Sequence, residues 1–452
     1  MPNSAAENAV TAETVETAQD APVSGNGGTD VPEEVREAIR SVGERARRAR
    51  HELATAGRAR KDETLRAMAA KLRLNTRHLI AENKKDVAAG RESGTSEAML
   101  DRLSLDEARI EALAVALEEL AALPDPVGDV VRGRNLPNGL RMTQVRVPLG
   151  TVGAIYEARP NVTVDIAGLA LKSGNAVILR GGSAARNTNA ALISILREVA
   201  GDQGFEADII QGIDQYGRAG ATALMSERGS VDVLIPRGGH DLIQSVVRTA
   251  RVPVIETGEG NVHLFIDASA PVKMAVDIAL NAKTQRVSVC NAAETLLIHA
   301  QAEEAGREVL RALSRTGVFL HVDEGARAWL PDGAQAETAR DEDWGREYLA
   351  LEMAVKTVGS LDEAIEHIQR WSTGHTEAIV TNDLANADRF VTEIDSAAVI
   401  VNASTRFTDG GQLGLGAEVG ISTQKMHARG PMGLEELTTT KWVLRGEGQV
   451  RI

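Results

Sequence analysis

The chain carries a single cysteine in 452 residues, Cys290, so no disulfide can form within it and a cysteine-rich zinc site is excluded. Aromatic residues make up only 3% of it, too few to build the stacking platforms that single-stranded nucleic acids need. A formal net charge of −14 repels phosphate backbones, so no nucleic-acid partner is expected. Long apolar runs are also missing. None approaches the roughly 18 to 20 residues of a membrane span, and no basic segment followed by an apolar core opens the chain as a signal peptide would. The nine histidines are scattered with no i,i+4 pair, and no metal centre is expected. Together these absences point to a reducing, cytoplasmic setting without membrane or nucleic-acid partners.

What is present is ordinary for a globular protein: 43% hydrophobic and 25% charged residues, in a chain long enough for two or three domains. Residues 1–30 hold almost no large apolar side chains and include Ser24-Gly25-Asn26-Gly27-Gly28. Such a segment buries too little surface to offset its ordering entropy and reads as a disordered acidic tail. Residues 33 to 122 read as helices, the clearest opened by Ser104 and presenting Ile110, Leu113, Leu117 and Leu120 on one face. Leu123-Pro124-Asp125-Pro126 stops that series. Extended runs around Val130-Val131 and Met142–Val147 flank Pro137-Asn138-Gly139, a hairpin signal. The hairpin suits a local lid or an oligomer contact equally.

From Leu149 onward short apolar strands alternate with helices. Strands fall at Thr151–Tyr156, Ala176–Arg180, Ile209-Ile210, Val231–Ile235 and Val252–Ile255, with helices over Val164–Lys172, 188–199 and 240–250. A second series follows, with strands at 262–266, 294–299, 317–321, 377–381 and 397–401 and helices over 271–282, 301–314 and 361–371. This alternation predicts two consecutive doubly wound α/β units with parallel sheets, and a cleft between them to hold a ligand.

Chemistry concentrates in a few places. Cys290 lies on the small, polar stretch Asn281–Thr295. A lone cysteine suits a small buried hydrophobe as well as a nucleophile. Lys283 and Arg286, close in sequence, favour the second reading, because neighbouring cations promote the thiolate. Arg180-Gly181-Gly182-Ser183 and Pro236-Arg237-Gly238-Gly239-His240 both turn from a strand into a helix, where glycines let the backbone approach a phosphate. No Asp or Glu occurs between Arg180 and Arg197. An acidic residue there would select a free ribose 2′-hydroxyl, whereas arginines suit a 2′-phosphate.

Several longer stretches carry a resemblance. Tyr156-Glu-Ala-Arg-Pro-Asn161-Val-Thr-Val-Asp, Lys172-Ser-Gly-Asn-Ala-Val-Ile-Leu-Arg-Gly-Gly182, Glu256-Thr-Gly-Glu-Gly-Asn261, the cysteine segment, Ser372–Thr381, Val401–Gly410 and Leu413–Gly433 resemble the gamma-glutamyl phosphate reductases of the aldehyde-dehydrogenase superfamily. The resemblance spans about residues 35–452 and its motifs are specific. Val287, Val262 and Glu259 depart from the family pattern without removing a catalytic group. The fold it implies is aldehyde-dehydrogenase-like α/β: a cofactor-binding domain (31–126 and 148–256), a catalytic domain with Cys290 (257–425), and oligomerisation strands (127–147 and 435–452). The activity it implies is reduction of L-glutamyl 5-phosphate by NADPH to L-glutamate 5-semialdehyde and phosphate, the second step of proline biosynthesis, through a Cys290 thioester. A homo-oligomer and contact with glutamate 5-kinase belong to the same implication.

By position, the resemblance makes Cys290 the nucleophile, Arg159 an oxyanion or phosphate ligand or else only a structural ion-pair partner, and Glu256 the counterpart of a general base. Arg180, Gly181, Gly182, Ser183, Gly238, Gly239 and Glu347 fall to the cofactor, the last as a ribose contact where an exposed glutamate is the default. Asn161, Arg286, Ser404, Thr405 and Arg406 fall to the substrate. Two readings compete. Another enzyme of the superfamily, an aldehyde oxidiser or acyl-CoA reductase, would share Cys290 but need no phosphate pocket. A catalytically silent scaffold would not need the thiol or the glycine turns.

Overall fold

The computed structural model describes residues 31–157 and 159–451; the expected acidic tail, 1–30, lies outside the described residues. Five helices open the chain: Glu33–Thr55, Arg58–Leu74, Thr76–Glu92, Glu97–Leu103 and Glu107–Ala122. The last buries Ile110, Leu113, Leu117 and Leu120 as its spacing predicts. Its cap differs from expectation. Ser104 closes the preceding short helix, its hydroxyl donating to Leu100 O at 2.7 Å. Asp106 caps the longer helix by accepting from Arg109 N at 2.7 Å. Both residue types suit a cap, and the carboxylate two positions later takes the role.

Strands β1 (Val130–Asn135) and β2 (Arg141–Pro148) form the antiparallel hairpin, with Gly139 supplying the positive φ of 85° its turn requires. Next come β3 (Thr151–Tyr156), β4 (Ala176–Arg180), β5 (Ile210–Gly212) and β6 (Val233–Arg237). They build a parallel sheet in the order β5-β4-β3-β6. The chain reverses its direction across the sheet between β5 and β6, a switch point that opens a crevice at the carboxyl ends of the strands. Val252–Ile255, expected as a strand, makes only a single bridge from Val254 to Leu234, because Pro253 has no N–H to extend a ladder. The helix Gly217–Ser226 was not expected.

The second sheet holds β7 (Val262–Ile266), β8 (Ala293–His299), β9 (Phe319–Val322), β10 (Ala336–Thr338), β11 (Glu352–Val358), β12 (Thr376–Val380) and β13 (Ala398–Val401). Its order is β10-β9-β11-β8-β7-β12-β13, all parallel. The strands β3, β4, β7, β8 and β12 are buried along their whole length, as expected where helices cover both faces of a parallel sheet. A short pair, β14 (Ile421–Ser422) and β15 (Gly430–Pro431), follows. Strand β16 (Thr438–Arg445) then returns to pair antiparallel with β2 along its full length. The result is a three-stranded sheet in the order β1-β2-β16. Among the described residues no helix is long and apolar enough to cross a membrane.

Candidate active site

Cys290 sits half-buried in the loop between the helix Val272–Thr284 and β8. Three neighbouring segments hold that loop. Thr405 Oγ1 donates to Asn291 O at 2.7 Å, and Asn291 Nδ2 donates to Thr408 O at 2.8 Å. Arg102, from the short helix of the N-terminal series, reaches Ser288 O at 3.4 Å. The Glu256–Asn261 turn presses against the other side. A Cβ on Gly260 would lie 1.5 Å from the carbonyl oxygen of Cys290, so only glycine lets the two backbones approach this closely. Gly260 N in turn donates to Glu347 Oε1 at 3.0 Å.

The cations near the thiol are not all those that proximity in sequence suggests. Lys283 is fully buried and paired with Glu294, Nζ to Oε2 at 2.5 Å, so it serves the loop's base and not the thiol. Arg286 is exposed. The cation acting most strongly on Cys290 is Arg237, at the end of β6, and Arg159 and Arg406 also interact with the thiolate. Arg102, Arg237 and Arg286 all repel Arg159. Three arginines from three segments, Arg159, Arg237 and Arg406, thus act on one thiol, with Arg102 and Arg286 beside Arg159. Arg159 opens onto solvent, yet surrounding protein and then the neighbouring arginines lower its pKa to about 10. Burial also lowers Arg406, which donates from Nε to Gln285 Oε1 at 2.9 Å and keeps a buried Nη1 without a protein partner.

Burial pushes the Cys290 thiol up to about 11. Arg237 opposes that rise, while Glu418 and Glu347 add to it. Glu418 is itself raised by burial and accepts from Gly410 N at 2.8 Å. Asp165, raised to about 6 chiefly by burial, accepts from Asn161 Nδ2 at 3.1 Å and feels both Arg237 and Glu418. Glu256 is engaged elsewhere, between Gln244 Nε2 at 3.4 Å and Gln424 Nε2 at 3.3 Å. Ser404 and Thr405 spend their hydroxyls inside their own region, Ser404 accepting from Arg406 N and Thr405 tethering Asn291. Sequence reasoning passed over Arg102, Arg237, Asp165 and Glu418. The last three lie within stretches it had singled out, and only the fold sets Arg237 and Glu418 against Cys290 and Asp165 beside those two.

The glycine turns occupy the carboxyl ends of β4 and β6, on either side of β3. A Cβ on Gly181 would meet the Asn189 amide at 2.0 Å, and one on Gly238 would meet the Glu157 carboxylate at 2.7 Å. Gly239 N donates to that carboxylate at 3.0 Å. Arg180 is buried with its Nε unpartnered, and Ser183 beside it is exposed. An orphaned guanidinium donor in a glycine-lined crevice at the switch point fits a phosphate-bearing dinucleotide. An acidic group is present in space although absent in sequence: Asp214 reaches Gly181 N at 2.7 Å. Its second oxygen is taken by Asn189 Nδ2 at 3.0 Å. No group of His, Cys, Asp and Glu among the described residues could hold a metal ion.

The aldehyde dehydrogenase family model matches residues 10–324 of this chain. A gamma-glutamyl phosphate reductase of Kineococcus radiotolerans is 55% identical over 420 residues, covering 92% of this chain and 97% of that protein. One of Leifsonia xyli subsp. xyli is 58% identical over 407 residues, covering 90% and 96%. The crystal structure of gamma-glutamyl phosphate reductase from Thermotoga maritima superimposes with a TM-score of 0.88 at 45% identity, over 92% of this chain and all of that one. Enzymes of this family work with a nicotinamide cofactor. The chain therefore belongs to the aldehyde dehydrogenase family and, within it, to the gamma-glutamyl phosphate reductases.

Proposed function

We propose that this protein reduces L-glutamyl 5-phosphate to L-glutamate 5-semialdehyde with release of phosphate, using NADPH, as the second step of proline biosynthesis in the cytoplasm. The observation that carries the reading is that Arg159, Arg237 and Arg406 act on the only thiol, with Arg102 and Arg286 beside Arg159. An acyl phosphate places two negative charges next to the carbon that Cys290 must attack, and guanidinium groups bind phosphate oxygens with strong charge-assisted hydrogen bonds. A neutral aldehyde would give so many cations nothing to hold.

Cys290 Sγ bonds to the acyl carbon, and the bond from that carbon to the phosphate oxygen breaks. The departing phosphate takes up the thiol proton and leaves as hydrogen phosphate, so the high pKa of the resting thiol is no obstacle once substrate is bound. Arg159 and Arg237 stabilise the charge that builds on the acyl oxygen and the leaving group. The thioester remains on Cys290. When bound, NADPH supplies the hydride that takes this acyl group to the aldehyde level. The tetrahedral adduct on Sγ then collapses, releasing the semialdehyde and regenerating the thiol with one proton from solvent. Glu256, held by two glutamines, is poorly placed to activate water, which suits a reductase that must avoid hydrolysing its thioester. Arg406, with an uncommitted Nη1, is the substrate α-carboxylate's partner.

Arg180, Gly181, Gly182, Ser183, Gly238, Gly239 and Glu347 would hold the cofactor. Selection of the 2′-phosphate is supported by Arg180, Arg186 and the exposed Ser183, with Asp214 already satisfied by Gly181 and Asn189. Homo-oligomer formation through the three-stranded sheet is supported by exposed apolar residues on its two edge strands, Val130 and Val131 on β1 and Trp442 and Leu444 on β16.

The reaction run backwards tests the assignment. NADP reduction by glutamate semialdehyde should require added phosphate, and Arg159→Ala should raise the phosphate KM far more than the NADP KM. Turnover that ignores phosphate but responds to CoA would overturn the reading.

A further inference from the structure

The Lys283–Glu294 pair lies outside the chemistry just described, yet it closes a circuit around it. Lys283 is in the last turn of the helix that leads into the Cys290 loop, and Glu294 is the second residue of the strand that leaves it. Their contact, Nζ to Oε2 at 2.5 Å with both side chains fully buried, staples the two ends of that loop. Glu294 has a second oxygen, and Oε1 accepts from Leu349 N at 3.3 Å. Leu349 holds a φ of +53°, one of two positive-φ residues other than glycine among the described residues. A side chain there is strained, and the conformation persists only where the surroundings enforce it. The Lys283 ammonium also faces the Tyr348 ring at 6.0 Å. One residue further back, Glu347 accepts from Gly260 N, and Gly260 packs on the Cys290 carbonyl. The path therefore runs from the cysteine loop through Glu294, Leu349, Glu347 and Gly260 back to Cys290.

We propose that Lys283 and Glu294 are a positioning pair that fixes the separation between Cys290 and Glu347, and with it the alignment of the thiol against the nicotinamide side of the cofactor. The proposal rests on the reading that Glu347 faces the cofactor. A buried ion pair is a poor device for stability alone, because desolvation of both charges offsets their attraction. Here its geometry joins the helix that enters the cysteine loop to the strand that leaves it and, through Leu349, to the segment that carries Glu347, and catalysis is sensitive to errors of about 1 Å in such alignments.

Because Cys290 is the only thiol in the chain, iodoacetamide reports on it alone and without turnover. The test compares wild type with Lys283→Met/Glu294→Leu, which removes both charges and keeps volume, and with Leu349→Gly, which frees the pinned backbone at an exposed position. In both variants the thiol should alkylate faster, protection by NADPH should weaken, and the cofactor KM should rise with kcat falling on the order of 10- to 100-fold, while the phosphate KM stays near wild type. Glu294→Gln leaves the buried Lys283 ammonium without a counter-charge and should be impaired at least as much as the double variant. Wild-type alkylation, protection and KM in Leu349→Gly or in a folded double variant would overturn the proposal. So would a Glu294→Gln that behaves as wild type. If wild type fails to oxidise the semialdehyde with phosphate, the functional reading falls, while the alkylation measurements still decide the pair.

Discussion

At the scale of single residues, the thiol shows two opposed effects with a clear winner. Arginines surround Cys290, but burial outweighs Arg237 and the resting pKa stands near 11. Below that value the thiolate fraction grows tenfold per pH unit. The alkylation rate of the free enzyme should accordingly rise about tenfold per unit from roughly pH 7 to pH 10. A plateau beginning near neutrality would mean that the cations dominate. Cys290→Ala should abolish turnover while leaving the fold intact, and full activity in that variant would remove the covalent mechanism. Gly260→Ala tests the close approach. Its methyl group would collide with backbone, which cannot swing away as a side chain can. The expected cost is about 1–3 kcal/mol or more in stability, with turnover lost as the Cys290 loop shifts, both measurable by urea titration and steady-state assay. These residues also mark how far sequence reasoning reaches. The thiol, the glycine turns and Arg159 were visible as motifs. Lys283 was misread because seven residues of separation say nothing about direction: a helix end carried its side chain into the core. Arg237 was overlooked because its partner, the cysteine loop, lies on the other sheet.

Elements were legible where their period was strong and their flanks clean. The buried apolar runs of β3, β4, β7 and β8 were read close to their observed bounds, as was the hairpin marked by Asn138-Gly139. Strand β11 was not read, although it stands in the middle of its sheet between β9 and β8. Its alternation is broken by Lys356 and Thr357, whose half-buried positions only the neighbouring elements explain. The start of β12 illustrates a second feature hidden from sequence: five of the scattered histidines, His263, His299, His321, His367 and His375, are buried, with His263 and His367 in edge contact at 5.6 Å. His375 has an Nε2 without a partner and its pKa is lowered to about 4 by burial. The unfolded chain takes up this proton near pH 6.5, whereas the folded one resists until about 4. The neutral histidine therefore contributes fully above about pH 6.5, and the wild type loses stability as pH falls through that window. Relative to His375→Gln, the loss should approach about 1.4 kcal/mol per pH unit between pH 6 and pH 4. Denaturant midpoints at the two pH values measure it, and parallel curves for the two proteins would show that His375 does not titrate in this range.

Across the whole molecule, charge is distributed against the net count. The chain carries −14 overall, a sign that repels every anion the proposed reaction uses, yet Arg159, Arg237 and Arg406 act on Cys290 with Arg102 and Arg286 beside them. A local positive field set in a low-dielectric cleft can still draw in phosphate, because the distant surface acids are screened beyond about 8–10 Å at moderate salt while the arginines act at contact. The balance between the two shifts with ionic strength in a predictable direction. Added salt weakens the attraction of the exposed Arg286 and Arg159 for an incoming anion, and leaves the half-buried Arg237 and Arg406 less affected. The kcat/KM for phosphate in semialdehyde oxidation should therefore fall several-fold as salt rises from about 0.05 to about 0.5 M, while kcat at saturation changes little. Arg286→Gln should lower that kcat/KM at low salt by a few-fold and flatten its salt dependence, since the variant lacks a charge that salt would otherwise screen. Arg237→Gln should instead lower kcat itself at every salt concentration, because its charge acts on the thiol and the developing oxyanion more than on the approach. Identical salt slopes for wild type and Arg286→Gln would place Arg286 outside the path of the anion. A kcat in Arg237→Gln equal to that of wild type would show that this arginine contributes field without stabilising the transition state.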